Sequence, residues 1–523
     1  MKKQFTYKSI INVIFLLLFF IIVVAPVLTL LYSAFSAVLS GDIASLRLII
    51  PEGRRMDLLL KSVEFAAFVA MGASFTGVFA GSLLYGWRTK TAGMLKNIIL
   101  LLAIIPNYIH TLAWSSAIQA LNTLLKNISP GFHSIPLDGM SISIWVQMMC
   151  LLPFTVGLTI IGFEIVDGTL VDSARVLRKD LQVFFKIILP LAVPAIIAGS
   201  TFVFMISLMD YSVPSIFQVN LYSLDIFANF SSDYNIAHAL FLAIPLLIIA
   251  IVAASVFQSS FRSIALSSGS TKQCTKSLSF PVWFRILQWI AFIIVFLQIA
   301  IPVISLIFAA GSPTAIIQSF TGSMREMGYT ILISFVAALF SVPFSICAAT
   351  QINKQGYMKN IWWFMLVIPL TMPPPLIGIG LISLWNSFPG IYGTLIMPVI
   401  AGFIRFIPFA TIITLAQMKR IDLQLIQAAS ILQKNPFQTL LKVRLPLLSR
   451  GILAAMCVMF ILTSGELGAT LLVAPPGKGT LTMKIYNYLH YGQSGTVAGL
   501  CLLMLVFSLI IGVLLYKLFI RRR

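Results

Sequence analysis

Apolar residues in this chain run in long blocks with few polar interruptions, instead of recurring at a helical or strand period. Lipid offers no partner for backbone polar groups, so a helix that crosses it needs about 20 consecutive apolar residues. Twelve stretches meet that requirement, near 10–34, 62–86, 97–119, 141–163, 188–210, 238–258, 286–309, 327–350, 361–386, 391–416, 450–472 and 494–516. Lys2, Lys3 and Lys8 precede the first, but its apolar run is too long for a signal peptide and reads as an uncleaved span. The prediction is an all-α integral membrane protein of about twelve transmembrane helices.

Basic residues orient it. The side holding the N-terminus and every second connection carries 26 of the 35 Lys and Arg, the other side eight, and Arg405 lies inside a span. Positive charge is retained on the cytoplasmic side, so both termini are predicted to be cytoplasmic. The formal charge of +20 with only 10% charged residues fits such loops. It does not fit the clustered basic face of a nucleic-acid binder, so lipid is expected as a partner and nucleic acid is not.

The chain repeats itself at an offset of 255 to 256 residues. Pro153-Phe154 recurs as Pro408-Phe409, Asp167 as Asp422, Ala174 as Ala429, Asp180 as Asn435, Leu189-Pro190 as Leu445-Pro446 and Asp210 as Glu466. Six spans per copy give both copies the same polarity, related by an axis along the membrane normal. The units are predicted at 1–258 and 283–523, joined by a polar cytoplasmic linker at 259–282.

The most charged repeated segment is the cytoplasmic loop after the fourth span, at about 164–190 and 417–446. Each copy reads as two short helices with a break. Asn435-Pro436 has the form of an N-cap followed by proline at the first helical position, and Asp180 is expected to cap the matching helix. Small residues fall at one point of both copies, Ser173-Ala174 and Ala428-Ala429, where they permit close approach of a partner.

These loops resemble the signature loop of ABC importer permeases, written Glu-Ala-Ala, three residues, Gly, nine residues, Ile, any residue, Leu-Pro. The second copy has Gln427-Ala428-Ala429, Gln433 for the glycine and Val443-Arg444-Leu445-Pro446. The first has Asp172-Ser173-Ala174, Arg178 for the glycine and Ile187-Ile188-Leu189-Pro190, one residue shorter. With the stretches from Ser464, Pro373 and Ile404, the whole chain is similar to the fused double permeases of the ferric-iron-type family, whose relatives include thiamine and aminophosphonate importers. The resemblance implies a transport subunit of the bacterial inner membrane, not an enzyme. It further implies two copies of a cytoplasmic ATP-binding subunit, which carry ATP and Mg, and a solute-binding protein on the outer face. Asp172, Ser173, Ala174 and Arg175, with Gln427, Ala428, Ala429 and Ser430, would couple to the ATPases. Ferric iron is the first candidate solute.

Candidate chemistry within the chain is sparse. The only Gly-Lys pair, Gly477-Lys478, has Leu472 where a phosphate-binding loop needs its first glycine. No catalytic group or metal cluster stands out: the four histidines are scattered and the five cysteines form no C-x-x-C pair. An ion-coupled secondary transporter, the alternative of a different class, needs titratable groups within the bilayer. Arg405, the clear intramembrane charge, does not exchange protons at physiological pH.

Three positions carry expectations for the path. Asp210 and Glu466 lie 20 residues beyond Pro190 and Pro446, or ~30 Å along a helix, so both are expected at the outer mouth, receiving a cationic solute or else capping a helix or pairing with the Arg54–Arg55 region. Arg405, ~21 Å down from Ile391, is then too deep to pair with Glu466. It is expected instead to satisfy the carbonyls of Pro369, Leu370 and Thr371, freed where Pro373, Pro374 and Pro375 break the preceding span.

Overall fold

The computed structural model describes residues 13–86, 105–129, 131, 133–267, 278–354, 356–419, 421, 425, 436–490 and 494–520. Its helices in the first copy are α1 (Val13–Leu39), α2 (Arg54–Gly86), α3 (Asn107–Ile128), α4 (Met140–Ile165), α5 (Gly168–Leu177), α6 (Leu189–Met209), α7 (Tyr222–Asp233) and α8 (Ile236–Ser267). The second copy contributes α9 (Val282–Ala310), α10 (Met324–Ile352), α11 (Tyr357–Thr371), α12 (Pro374–Trp385), α13 (Ile396–Lys419), α14 (Leu445–Ser464), α15 (Leu481–His490) and α16 (Ser494–Ile520). Among the described residues, nine helices are long and apolar enough to cross a membrane, and α11 with α12 forms a further span bent by 110°. The remaining two predicted spans correspond to α3, whose predicted beginning lies outside the described residues, and α16. The protein is a multi-pass membrane protein of two six-span units.

The ends of the spans differ from the sequence reading where side chains supply or remove backbone partners. α8 runs on to Ser267, past its apolar span and into the predicted linker. α14 stops at Ser464, eight residues before the predicted end. There the chain turns through Gly465, and the Glu466 carboxylate accepts the Ala469 and Thr470 N–H groups at 3.0 and 2.9 Å, opening a short helix, Thr470–Val473.

Proline shapes both copies alike. A π-helical turn precedes Leu189-Pro190 (Phe184–Ile188) and Leu445-Pro446 (Leu440–Arg444), and a third, Phe20–Val24, precedes Ala25-Pro26. A proline ring clashes with the carbonyl four residues back and donates no bond to it. Widening the turn relieves this: the Leu189 and Ala25 N–H groups reach five residues back, to the carbonyls of Phe184 and Phe20. The third span of each copy starts its outer helix after an extended proline, Pro106 (φ −59°, ψ 145°) and Pro373 (φ −57°, ψ 141°).

Packing is equally symmetric. α2 lies against α4 and α6 as α10 lies against α13 and α14. The Ser62 hydroxyl of α2 accepts the Tyr222 N–H opening α7 at 2.8 Å, and Thr330 of α10 accepts the Leu481 N–H opening α15 at 2.8 Å. The first span of each copy crosses to the other: α1 packs on α12, and α9 on α2 and α3. Lipid provides little hydrophobic drive between helices, so close approach of small residues matters. At Gly380 of α12, a Cβ would stand 2.8 Å from the Pro26 carbonyl oxygen of α1. Phe19, Phe344, Trp362 and Phe403, all 2% exposed or less, anchor the same junction with ring centroids 5.2 to 6.5 Å apart.

Candidate functional site: a charged cavity between the halves

A cavity of about 160 Å³ lies where the two copies meet, lined from the first by Asn107, Cys150, Asp210 and Tyr211 and from the second by Pro369, Pro374, Arg405 and Glu466. The proline breaks position part of this wall. Because α3 begins only at Asn107 and α12 only at Pro374, both copies present a helix start to the cavity.

Asp210 and Glu466, expected at the outer mouth, are brought into this one space. They are 8% and 2% exposed, and Glu466 pairs with Arg405, which lies nine residues into α13 from Ile396, roughly 14 Å along the helix. Both carboxylates are therefore buried within the bundle. The spans are not straight rods: α13 begins at Ile396 instead of Ile391, and Glu466 lies on a turn beyond the end of α14.

The direct pair of Arg405 Nη1 with Glu466 Oε1 overturns the expectation that the two are too far apart. It also replaces the expected assignment of Arg405 to the Pro369, Leu370 and Thr371 carbonyls. The break itself is present at Met372-Pro373, and Pro369 and Leu370 share the cavity with Arg405. The guanidinium also lies 5.3 Å from the Phe406 ring centroid. Glu466 is thus bound on both sides, by a cation and by two backbone N–H groups.

Asp210 is held differently. Its Oδ1 accepts from the Ser212 N–H at 2.9 Å and hydroxyl at 2.6 Å, and its Oδ2 accepts from Asn107 Nδ2 at 3.2 Å. Both acids therefore stabilise the turn that follows them, as the capping alternative holds. No Lys or Arg pairs with Asp210 among the described residues. The position equivalent to Arg405 at the repeat offset is Cys150, whose thiol lies 3.7 Å from the Asn107 carbonyl oxygen.

Asn107, Cys150 and Tyr211 escaped the sequence reading. The repeat contained a signal for one of them, since Cys150 falls opposite Arg405. Tyr211, 1% exposed and stacked on Phe227 at 5.4 Å, carried none.

On the cytoplasmic side, α5 holds Asp172, Ser173, Ala174 and Arg175, with the Asp167 carboxylate accepting the Thr169 N–H at 2.9 Å as its N-cap. Val176 and Leu177 at its end are each 84% exposed. Asp180 is not a cap: Lys179 occupies that position, and Asp180 pairs with Arg175. Gln427, Ala428, Ala429 and Ser430, like Asn435, lie outside the described residues. The helix Pro436–Thr439 does begin at Pro436.

The family described as binding-protein-dependent transport system inner membrane component matches this chain twice, over residues 73–265 and 341–523. The chain belongs to that family. The double match makes it a fused double permease of an ABC importer. Over 465 residues it is 24% identical to the Fe(3+)-transport system permease protein FbpB 2 of Haemophilus influenzae, covering 87% of this chain and 88% of that one. It is 28% identical over 184 residues to PhnV of Salmonella typhimurium, named for 2-aminoethylphosphonate transport, covering 35% of this chain and 69% of PhnV. It is also 26% identical over 208 residues to the molybdenum transport system permease protein ModB of Haemophilus influenzae, covering 36% and 89%. The permease's relatives thus include both single-unit and full-length proteins.

Proposed function

We propose that this permease passes a cationic solute through the cavity between its halves, with ferric iron as the first candidate. The observation that carries the charge assignment is the unequal state of the two carboxylates. Glu466 is neutralised by Arg405, whereas Asp210 is met by neutral donors alone, leaving the wall one net negative charge among these three groups. Solute carrying positive charge recovers there part of the hydration it leaves behind. The match to FbpB 2 along nearly the whole chain supports iron.

The motor is external in this reading. α5 exposes Leu170 in its first turn and Val176 and Leu177 at its end, 47 to 84% exposed, on the side assigned to the cytoplasm. One ATP-hydrolysing subunit docks there and a second on the loop containing Gln427 to Ser430, while a solute-binding protein delivers cargo outside. The chain needs no cofactor of its own for this role.

A zwitterionic aminophosphonate is the second reading. The similarity to PhnV favours it, and Arg405 and Asp210 in one cavity present both signs that such a solute would meet. Uptake of labelled ferric citrate, thiamine and 2-aminoethylphosphonate by cells with and without the gene separates the candidates. Gene-dependent uptake of iron is expected; gene-dependent uptake of the phosphonate alone would overturn the iron assignment.

A further inference from the structure

The first coupling loop is bound to the segment that joins the two copies. The Asp180 side chain is 10% exposed and receives four hydrogen bonds. Arg175 Nε donates to Oδ1 at 2.8 Å and Arg175 Nη2 to Oδ2 at 3.1 Å, which ties Asp180 back to α5. The Ser279 N–H and hydroxyl donate to Oδ2 at 2.6 and 3.1 Å, from three residues before α9. The next residue, Phe280, is 6% exposed and sits among rings, 5.6 Å from Phe184 of the π turn and 4.6 Å from Phe284 of α9. Charge-assisted bonds and buried aromatic contacts thus join α5, the π turn and the foot of α9.

We propose that Ser279 and Phe280 form a strut and that Asp180 is its positioning residue, so that α5 and α9 move as one body. A displacement received at α5 then passes directly to the first span of the second copy, and through its packing on α2, α3 and α16 to both halves. The fusion segment becomes part of the coupling apparatus. The second loop has Asn435 in the place of Asp180, an uncharged side chain that cannot form the same ion pair. The inference rests on α5 being the docking helix for an ATPase subunit.

The test uses the assembled transporter in a background with the five cysteines replaced, carrying spin labels at Arg178→Cys and Val282→Cys. The distance between the labels is read by pulsed electron resonance without nucleotide and after trapping with ATP and vanadate. A single narrow distance, the same in both states, is expected, with loss of that narrow distribution in Asp180→Asn and in Ser279→Pro and its retention in Asp180→Glu. A distance that shifts on trapping in the otherwise unaltered protein, or one that stays narrow in both disrupting variants, would overturn the strut. Docking is judged separately by Val176→Asp: if the ATPase subunits still co-purify undiminished, the docking assignment fails while the strut remains measurable.

Discussion

The two acids of the cavity occupy equivalent places in the repeat and have opposite electrostatic circumstances. Glu466 faces a guanidinium from α13; Asp210 faces Asn107 and Ser212, because α4 carries Cys150 where α13 carries Arg405. The backbone around them is nearly the same, down to the proline dihedrals at the helix breaks. The fold therefore fixes where a charge can stand, and a single partner position decides whether that charge is available to solute. A fused chain permits such divergence, because its two copies are encoded separately.

The largest effect should come from breaking the pair. Glu466→Leu leaves Arg405 without its partner, and since the arginine side chain remains 26% exposed, the loss should sit at the lower end of the range for buried pairs, about 3 kcal/mol. Thermal unfolding of the purified permease should show it, and Arg405→Leu in the same protein should restore the part that comes from the unpaired cation, while the loss of the Ala469 and Thr470 N–H bonds remains. If the double variant is no more stable than the single one, the pair is not what holds Glu466.

The next experiment makes the halves alike. Cys150→Arg supplies Asp210 with a cation, and Asp210→Asn removes the charge while keeping an acceptor oxygen for Ser212. Each should lower uptake of a cationic solute about tenfold, the scale of one charged hydrogen bond, with little change in unfolding temperature. Equal uptake losses in Asp210→Asn and in a Glu466→Gln variant of undiminished stability would end the distinction between the two acids.

Where the halves are equivalent, so should be the cost of damage. Ser62→Ala and Thr330→Ala each leave a buried backbone N–H without its hydroxyl partner, and each should cost about 1–3 kcal/mol. Costs that differ by more than that range would show that the symmetry of geometry is not one of energy.

The smallest effect concerns an outer clasp in the first half. His238 Nδ1 lies 3.0 Å from Asp233 Oδ2 and its Nε2 3.0 Å from the Ser45 hydroxyl, which also bonds Asp42. The Ser45 hydroxyl leads in holding the Asp42 carboxyl below its ordinary value, with His238 adding to it. Burial opposes ionisation of Asp233, but the Asn235 N–H and His238 outweigh it and hold that carboxyl low as well. Depressed folded values mean stability that is present above the ordinary carboxylate value and lost as pH falls through the folded ones. The acid-side fall in unfolding temperature should therefore be shallower in His238→Leu than in the unaltered protein.

The number of spans and the duplication were legible in the sequence, because each depends on one-dimensional quantities: apolar run length and spacing between repeated residues. The proline break in the ninth span was legible for the same reason, since a missing N–H is a property of the residue itself. The Arg405–Glu466 pair was not. Helix rise converts residue number to distance only along one straight segment, and a turn at Gly465 together with a later start of α13 placed two side chains in contact that counting kept apart. Nor could the linear pattern show that Asp180 would turn from capping its own helix to binding Ser279, 99 residues away. That choice depends on which donors packing brings within 3 Å of a carboxylate, and it is settled only when α9 docks against the first copy.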